Sequence, residues 1–224
     1  PDPSFALAAE ARLDSSTIAA MAKETAVADG LYTDGSASIK LTAEGGKDSA
    51  RISLHADATP AWIAYRDYIR KEEDYPASFE AFMEASDAGV TIRRAALKIG
   101  SSTIEFAGRT DTGARSYDIR ANSPELFLGD LDSISPYLRS EYPSSGLVSF
   151  ELNAARASDE AHPSYKGAVA VKGARFETPF LESTVERLDA AASFDGKTGR
   201  LHIDRMDVGS SDLSGTIDII DIAG

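Results

Sequence analysis

The chain of 224 residues contains no cysteine, three histidines and one tryptophan. Without thiols it has no disulfide, no thiolate nucleophile and no Cys-based zinc site, a usage compatible with an extracytoplasmic bacterial compartment. His55, His162 and His202 are scattered, show no H-x-x-x-H spacing, and read as surface strand or loop residues. Positive charge is also scarce. Lys and Arg number 23 against 36 Asp and Glu, a net charge of −13. That balance argues against a nucleic-acid partner, because binding phosphates requires Lys and Arg to replace counterions. It likewise disfavours electrostatic docking on anionic membrane surfaces. No apolar run approaches the roughly 18 residues of a membrane-spanning helix, and no signal-peptide pattern opens the chain.

Catalytic motifs are equally short in supply. There is no G-x-S-x-G elbow. Gly196-Lys197-Thr198 matches the end of a P-loop, but Ala191 stands where that motif needs Gly, and the context is a β-turn. The pairs Asp130/Asp132 and Asp218/Asp221 lie in no D-x-D-x-D-G loop and read as solvated carboxylates. Asn122-Ser123-Pro124 lacks the Ser or Thr of a glycan acceptor. No catalytic residue, metal or cofactor is assigned, and the chain is not expected to be an enzyme.

What the chain does have is alternation. Apolar residues make up 42% of it, enough to bury a sizeable surface. In Gly199–Ile219, Leu201 and Ile203, then Met206 and Val208, then Leu213, Ile217 and Ile219 alternate with polar residues around a Gly-Ser-Ser corner. Such period-2 patterning marks strands with one wet and one apolar face. Further strands are predicted at Phe5–Arg12, Gly35–Ala43, Ala50–Ala58, Val90–Ile99, Ile104–Phe106, Arg115–Ala121, Gly146–Ala154, Ala168–Val171 and Val185–Phe194. A phase slip near Arg94 suggests a bulge. A helix capped by Ser15 or Ser16, with Ile18, Met21, Ala22 and Ala26 on one stripe, is predicted to end at Gly30. Another short helix is expected within Leu126–Leu138. Residues 60–86 lose the alternation. Trp62, Tyr65 and Ile69, then Phe79, Phe82 and Met83, fit two amphipathic helices separated by Pro76, an inserted hairpin packing on a sheet edge or serving as an aromatic lid.

The pattern occurs twice. Residues 97–108, LKIGSSTIEFAG, repeat the Gly-Ser-Ser design of the C-terminal strands, and Gly35–Ala43 lines up with Gly146–Ala154. The shift is about 110 residues, so the chain reads as two β-repeat units, 1–110 (carrying the helical insertion 60–86) and 111–224. Open-ended repeats stack into extended arrays. The opening Pro1-Asp2-Pro3 and a terminus just after a strand pattern predict a slice of a longer protein.

The order of strand, Leu-Asp helix and Gly-led strand pair, followed by DAAASFDGKTGRLHIDRMDVGSSDLSGTIDI, resembles the AsmA/TamB-like family of Gram-negative envelope proteins, including its YhdP-type members. Residues 111–224 carry the closer likeness, with Leu201, Ile203, Met206, Val208, Gly209, Ser210, Leu213, Gly215 and Ile217 matching the family's degenerate strand phrase. The helical insertion at 60–86 departs from that phrase, which leaves the continuity of the sheet there open. The resemblance implies a mainly β fold: an elongated, curled antiparallel sheet with short helices and an apolar trough. It implies a periplasmic location, with an inner-membrane anchor helix outside this chain and membrane contact only through such absent parts. It also implies a role in moving phospholipid between inner and outer membranes in cell-envelope and outer-membrane biogenesis.

Candidate groove residues are Ile104, Phe106, Tyr117, Ile119, Val148, Phe150, Leu152, Val169, Val171, Leu201, Ile203, Leu213, Ile217 and Ile219. Each acyl CH₂ withdrawn from water contributes about 0.8 kcal/mol, so such a trough would hold a lipid tail without a specific polar site. The alternative is a structural β-repeat, a periplasmic spacer or surface stalk whose same residues form a dry core with no ligand. Core and trough require the same residue types, so periodicity leaves both open.

Overall fold

The alternation becomes one antiparallel sheet of 12 strands, not closed into a barrel. The computed structural model describes residues 4–22, 31–66, 69–134, 144–160, 162–177 and 183–220. In chain order these form β1 (Phe5–Asp14), α1 (Ser15–Ala22), β2 (Leu31–Asp34), β3 (Ser36–Gly45), β4 (Ser49–Asp57), β5 (Trp62–Tyr65), β6 (Ile69–Lys71), β7 (Ala77–Ser86), β8 (Gly89–Ile99) and β9 (Ser102–Asp111). The second half supplies β10 (Ser116–Phe127), α2 (Leu128–Asp132), β11 (Ser145–Arg156), β12 (Ser164–Phe176), β13 (Val185–Asp195), β14 (Thr198–Val208) and β15 (Ser211–Ile220). The long sheet runs β1-β3-β4-β7-β8-β9-β10-β11-β12-β13-β14-β15, and β2-β5-β6 form a small separate sheet. Strands therefore lie side by side almost in chain order. The sheet passes through the boundary between the sequence repeats without a break, since β9 pairs with β10 from Asp111/Ser116 onward.

The helical hairpin expected at 60–86 is not there. Trp62–Tyr65 and Ile69–Lys71 pair as a β-hairpin of the small sheet, and Ala77–Ser86 is a strand between β4 and β8. Phe79 and Phe82, three residues apart, mimic one face of a helix. In β7 they point to opposite faces: Phe79 stands opposite Ala56 and Leu97, while Phe82 is 50% exposed opposite Ser53 and Arg94. The in-facing positions of β7 are Phe79, Ala81, Met83 and Ala85. Alanine and glutamate favour helix intrinsically, but pairing along both edges of the segment overrides that preference. The sheet is accordingly not interrupted.

Other expectations fare differently. The cap of α1 is Asp14, whose Oδ1 accepts from the Thr17 N–H and the Ser16 hydroxyl, both at 2.8 Å, rather than Ser15 or Ser16. Ala26 and the stop at Gly30 lie outside the described residues. The slip near Arg94 is a bulge: Met83 faces Ile92 and Phe82 faces Arg94, with Arg93 extra. Both arginines then reach carboxylates, Arg93 to Glu84 at 2.6 Å and Arg94 to Glu105 at 3.2 Å. The two Gly-Ser corners are two-residue hairpin turns, closing Ile99 on Ser102 and Val208 on Ser211. Gly100 and Gly209 each adopt φ 58, the left-handed conformation that the first position of a type II′ turn demands.

Connections are sorted by end. At one end of the strands the connections are brief, at 46–48, 87–88, 112–115 and 196–197, and β11 and β12 join at this end too. The opposite end carries the Gly-Ser corners and every long connection, including α1, the small sheet and α2.

Candidate functional site

The registers place one face of all 12 strands in a single apolar surface. One row can be followed across the whole sheet through directly opposed residues: Ala9, Leu41, Leu54, Ala81, Ala95, Phe106, Ala121, Leu152, Gly167, Phe194, Gly199 and Ile219. No member is polar or charged. Beside it runs a second row in the C-terminal half, Leu126, Val148, Val171, Ala190 and Ile203. Between the two lie Ser123, Phe150, Val169, Ala192, Leu201 and Ile217. The groove residues predicted from sequence all fall on this face: Ile104 and Phe106 on β9, Tyr117 and Ile119 on β10, Val148, Phe150 and Leu152 on β11, Val169 and Val171 on β12, Leu201 and Ile203 on β14, and Leu213, Ile217 and Ile219 on β15. Tyr117 sits at its margin, opposite Thr110 and Arg156.

Sequence reasoning missed the first half of the surface. Leu7, Leu41, Leu54, Phe79, Met83, Ile92 and Leu97 continue the same face through β1, β3, β4, β7 and β8. The alternation in β3 and β4 was legible, but a helical reading of 60–86 separates those strands from β8. Ala121, Ala192 and Phe194 also belong. The short side chains of the alanines hid them.

This face is thinly covered. Among the described residues seven of the ten buried apolar residues are alanines; Ala81, Ala95 and Ala190 stand on this face, whereas Ala96 lies on the charged face opposite Glu80 and Glu105, and Ala61 and Ala64 lie outside the long sheet. The larger groove side chains, Phe106, Phe150 and Leu152 among them, stay partly exposed, and Leu213 and Ile217 are more than half exposed. The chain exposes 14338 Å², whereas a compact protein of 23.8 kDa exposes about 9,900 Å².

The opposite face carries the charge. Glu10–Lys40, Glu84–Arg93, Glu105–Arg94, Asp195–Lys166 and Asp218–Arg200 pair across neighbouring strands at 2.6 to 3.2 Å, all exposed. Exposed pairs of this kind add little stability each, but they keep one face wet. His55 lies 3.6 Å from Glu80, and His202 contacts Asp204 and Thr216, so both belong to this charged lattice; His162 is exposed. No three His, Asp or Glu side chains converge among the described residues.

No protein-family model, curated protein or solved structure matches the chain.

Polar order concentrates at the end with the long connections. Asp130, on α2, accepts from the Tyr75 hydroxyl at 2.7 Å, the Ser101 N–H and hydroxyl at 3.0 Å, and the Ser102 hydroxyl at 2.5 Å. It is a corner clamp rather than a solvated carboxylate. Burial opposes its ionisation, but the hydrogen bonds from Ser102, Tyr75 and Ser101 outweigh that and hold its pKa below the usual range. Ser102, 1% exposed, also receives the Phe127 N–H, locking α2 to the β8–β9 corner. Asp132 accepts from the Ser144 N–H, fixing the start of β11. In the small sheet, Lys71 is 4% exposed, and its ammonium donates to the carbonyls of Thr59, Ala61 and Glu72 at 2.6 to 2.9 Å. Burial lowers its pKa, partly offset by Asp74, Asp57 and Glu73. The Asp130, Ser102 and Asp132 contacts tie α2 to the β8–β9 corner and to the start of β11, while Lys71 holds the 59–72 segment together.

Proposed function

We propose that this chain holds phospholipid acyl chains along the apolar face of its sheet, as a segment of an AsmA/TamB-like envelope protein that conducts lipid across the periplasm. One observation carries the reading: a row without polar side chains crosses all 12 strands of a sheet whose apolar side chains remain partly exposed. An apolar face must be covered by something apolar. A dry-cored stalk would bury its Phe and Leu side chains, whereas here Phe106, Phe150 and Leu152 stay partly exposed and Leu213 more than half exposed. Acyl chains supply the missing cover. At about 0.8 kcal/mol per CH₂, even a partly immersed tail gains several kcal/mol. Because the row offers no polar site, headgroup identity adds little and a tail is free to slide. Transport on this surface is diffusive and needs no catalytic residue. A periplasmic setting and an anchor helix outside this chain belong to the same proposal; no helix among the described residues is long and apolar enough to cross a membrane.

Native mass spectrometry of the gently released protein tests this directly. Co-purifying phospholipid is expected, together with acyl-chain photo-crosslinks at Phe106 and Val148. A lipid-free protein that also gives no crosslink at either position would refute it.

A further inference from the structure

We infer that Arg156, with the hydroxyls of Tyr117, Tyr165 and Thr110, binds the phosphate of a phospholipid whose tails lie on the apolar face; the inference rests on the lipid reading proposed above. The directly opposed residues Val90, Thr110, Tyr117 and Arg156 form one row at the brief-turn end of that face. Tyr165 lies one row further in, opposite Ala154 and diagonal to Arg156. These strands, β8 to β12, sit well inside both edges of the sheet. Among the described residues, Arg156 is the only charged residue at the paired positions of the apolar face. The arginines that cross-pair with carboxylates, such as Arg93, Arg94 and Arg200, all point to the other face. Arg156 has no such partner among the described residues. Its Nε donates to the Glu160 carbonyl at 3.2 Å, and the Glu160 carboxylate accepts from the Ala157 N–H instead. The rest of its guanidinium fork is free, and the three hydroxyls make no hydrogen bond among the described residues. A planar cationic fork fits two phosphate oxygens. A tyrosine beside it offers an apolar ring to the tails and a donor to the headgroup.

The two ends of the face differ in a way that orients the lipid. At the far end Ile99, Leu126 and Val185 are buried, as are Ser102 and Ser123, whereas Tyr165 at the near end is 50% exposed. Arg156 to Val148 spans eight residues of β11, about 26 Å at 3.3 Å per residue. The tails of one leaflet occupy about 15 Å, half of a bilayer's hydrocarbon core. A tail therefore fits between the arginine and the closed end, along the strands. The site reads the phosphate that phospholipids share and not the alcohol beyond it. It leaves the headgroup unselected while fixing which way the lipid lies across the sheet.

Three soluble probes test this: dihexanoyl phosphatidic acid, dihexanoylglycerol with the same tails and no phosphate, and glycerol 3-phosphate with no tails. In titration calorimetry phosphatidic acid is expected to bind about tenfold more tightly than dihexanoylglycerol. Arg156→Gln should abolish that advantage. Arg109→Gln should keep it, because Arg109 stands opposite Asp118 on the charged face. Tyr117→Phe, which keeps the ring and loses only the hydroxyl, should weaken phosphatidic acid by about threefold. Circular dichroism checks the fold of each variant. Equal affinity for the two tailed probes, or an advantage that survives Arg156→Gln, overturns the phosphate site while leaving the lipid face standing. Glycerol 3-phosphate binding as tight as phosphatidic acid makes this a soluble-anion site and overturns the lipid assignment. If neither tailed probe binds, the lipid face itself fails, and the phosphate site with it.

Discussion

Truncating Phe150 to alanine separates an open apolar face from a closed core. Phe150 stands between Ser123 on β10 and Val169 on β12, and its ring is partly exposed. In a closed core, Phe→Ala costs about 3–5 kcal/mol, because a cavity term adds to the lost transfer energy. An open face leaves no cavity, since solvent or a ligand takes the place of the ring. Only the transfer term remains, about 2 kcal/mol for a ring already partly wet. Leu126→Ala is the internal comparison. Leu126 is 5% exposed, so it loses both terms, about 2–5 kcal/mol. The smaller side chain should therefore cost as much as or more than the larger. Urea titrations followed by circular dichroism give both values, with the slope checked for constancy. A Phe150→Ala cost of 3–5 kcal/mol, or one clearly above that of Leu126→Ala, would mean that the ring is enclosed and would refute the open-face reasoning. Phe150→Asp supplies the functional arm: the fold should persist while phospholipid co-purification is lost.

Asp130→Asn should destabilise the β8–β9 corner by about 1–3 kcal/mol, because Tyr75, Ser101 and Ser102 lose a charged acceptor; urea titration of the variant checks this. Since the folded-state pKa of Asp130 lies below its ordinary 3.8, its stabilisation is complete above that value and is lost as pH falls through the folded-state value. Acid titration of wild type against Asp130→Asn should show the difference closing in that window, and a difference that widens with acid would contradict the clamp. Gly100→Ala and Gly209→Ala both incur about 1 kcal/mol for a left-handed alanine. Gly100→Ala should cost more, because its Cβ would meet the Asp130 carboxylate and the Tyr75 hydroxyl, whereas the Cβ at Gly209 meets nothing nearer than Ser183 at 3.9 Å. Equal melting temperatures for the two variants would show that the clamp is dispensable. Lys71→Met should strip the carbonyls of Thr59, Ala61 and Glu72 of a donor, at about 1–3 kcal/mol. The expected readout is faster proteolysis within 58–76 with the long sheet intact.

The strands carrying Leu201, Phe150 or Ile104 were legible because each alternates large apolar with polar residues over a full strand. So was the bulge at Arg94, which leaves a phase slip in the pattern. Ala77–Ser86 was not, because its in-facing positions include Ala81 and Ala85 while Phe82 points to water, which gives a helical spacing of aromatics. What makes it a strand is the pair of edges offered by β4 and β8, a tertiary cause with no local trace. The Asp130 clamp was hidden for a similar reason. Tyr75, Ser101 and Asp130 are far apart in sequence and meet only because the long connections gather at one end of the sheet. Alternation also exposed the candidate face without saying whether anything lies over it. That distinction rests on burial, which depends on where the next layer is rather than on residue type.

The near-sequential strand order has a kinetic side. Along the long sheet only the β1–β3 and β4–β7 pairings skip a strand, and each skips only small-sheet strands. Every hairpin can therefore form before its neighbours have found their places, and no late closure joins the first strand to the last. Linear arrays of this kind nucleate in more than one place and propagate outward. Opening proceeds in the reverse direction, so amide exchange should be fastest in β1 and β15 and slowest in the strands around the β9–β10 joint. Among the described strands, fraying at β1 and β15 precedes a cooperative loss of the rest, which goes once the strands around the β9–β10 joint let go.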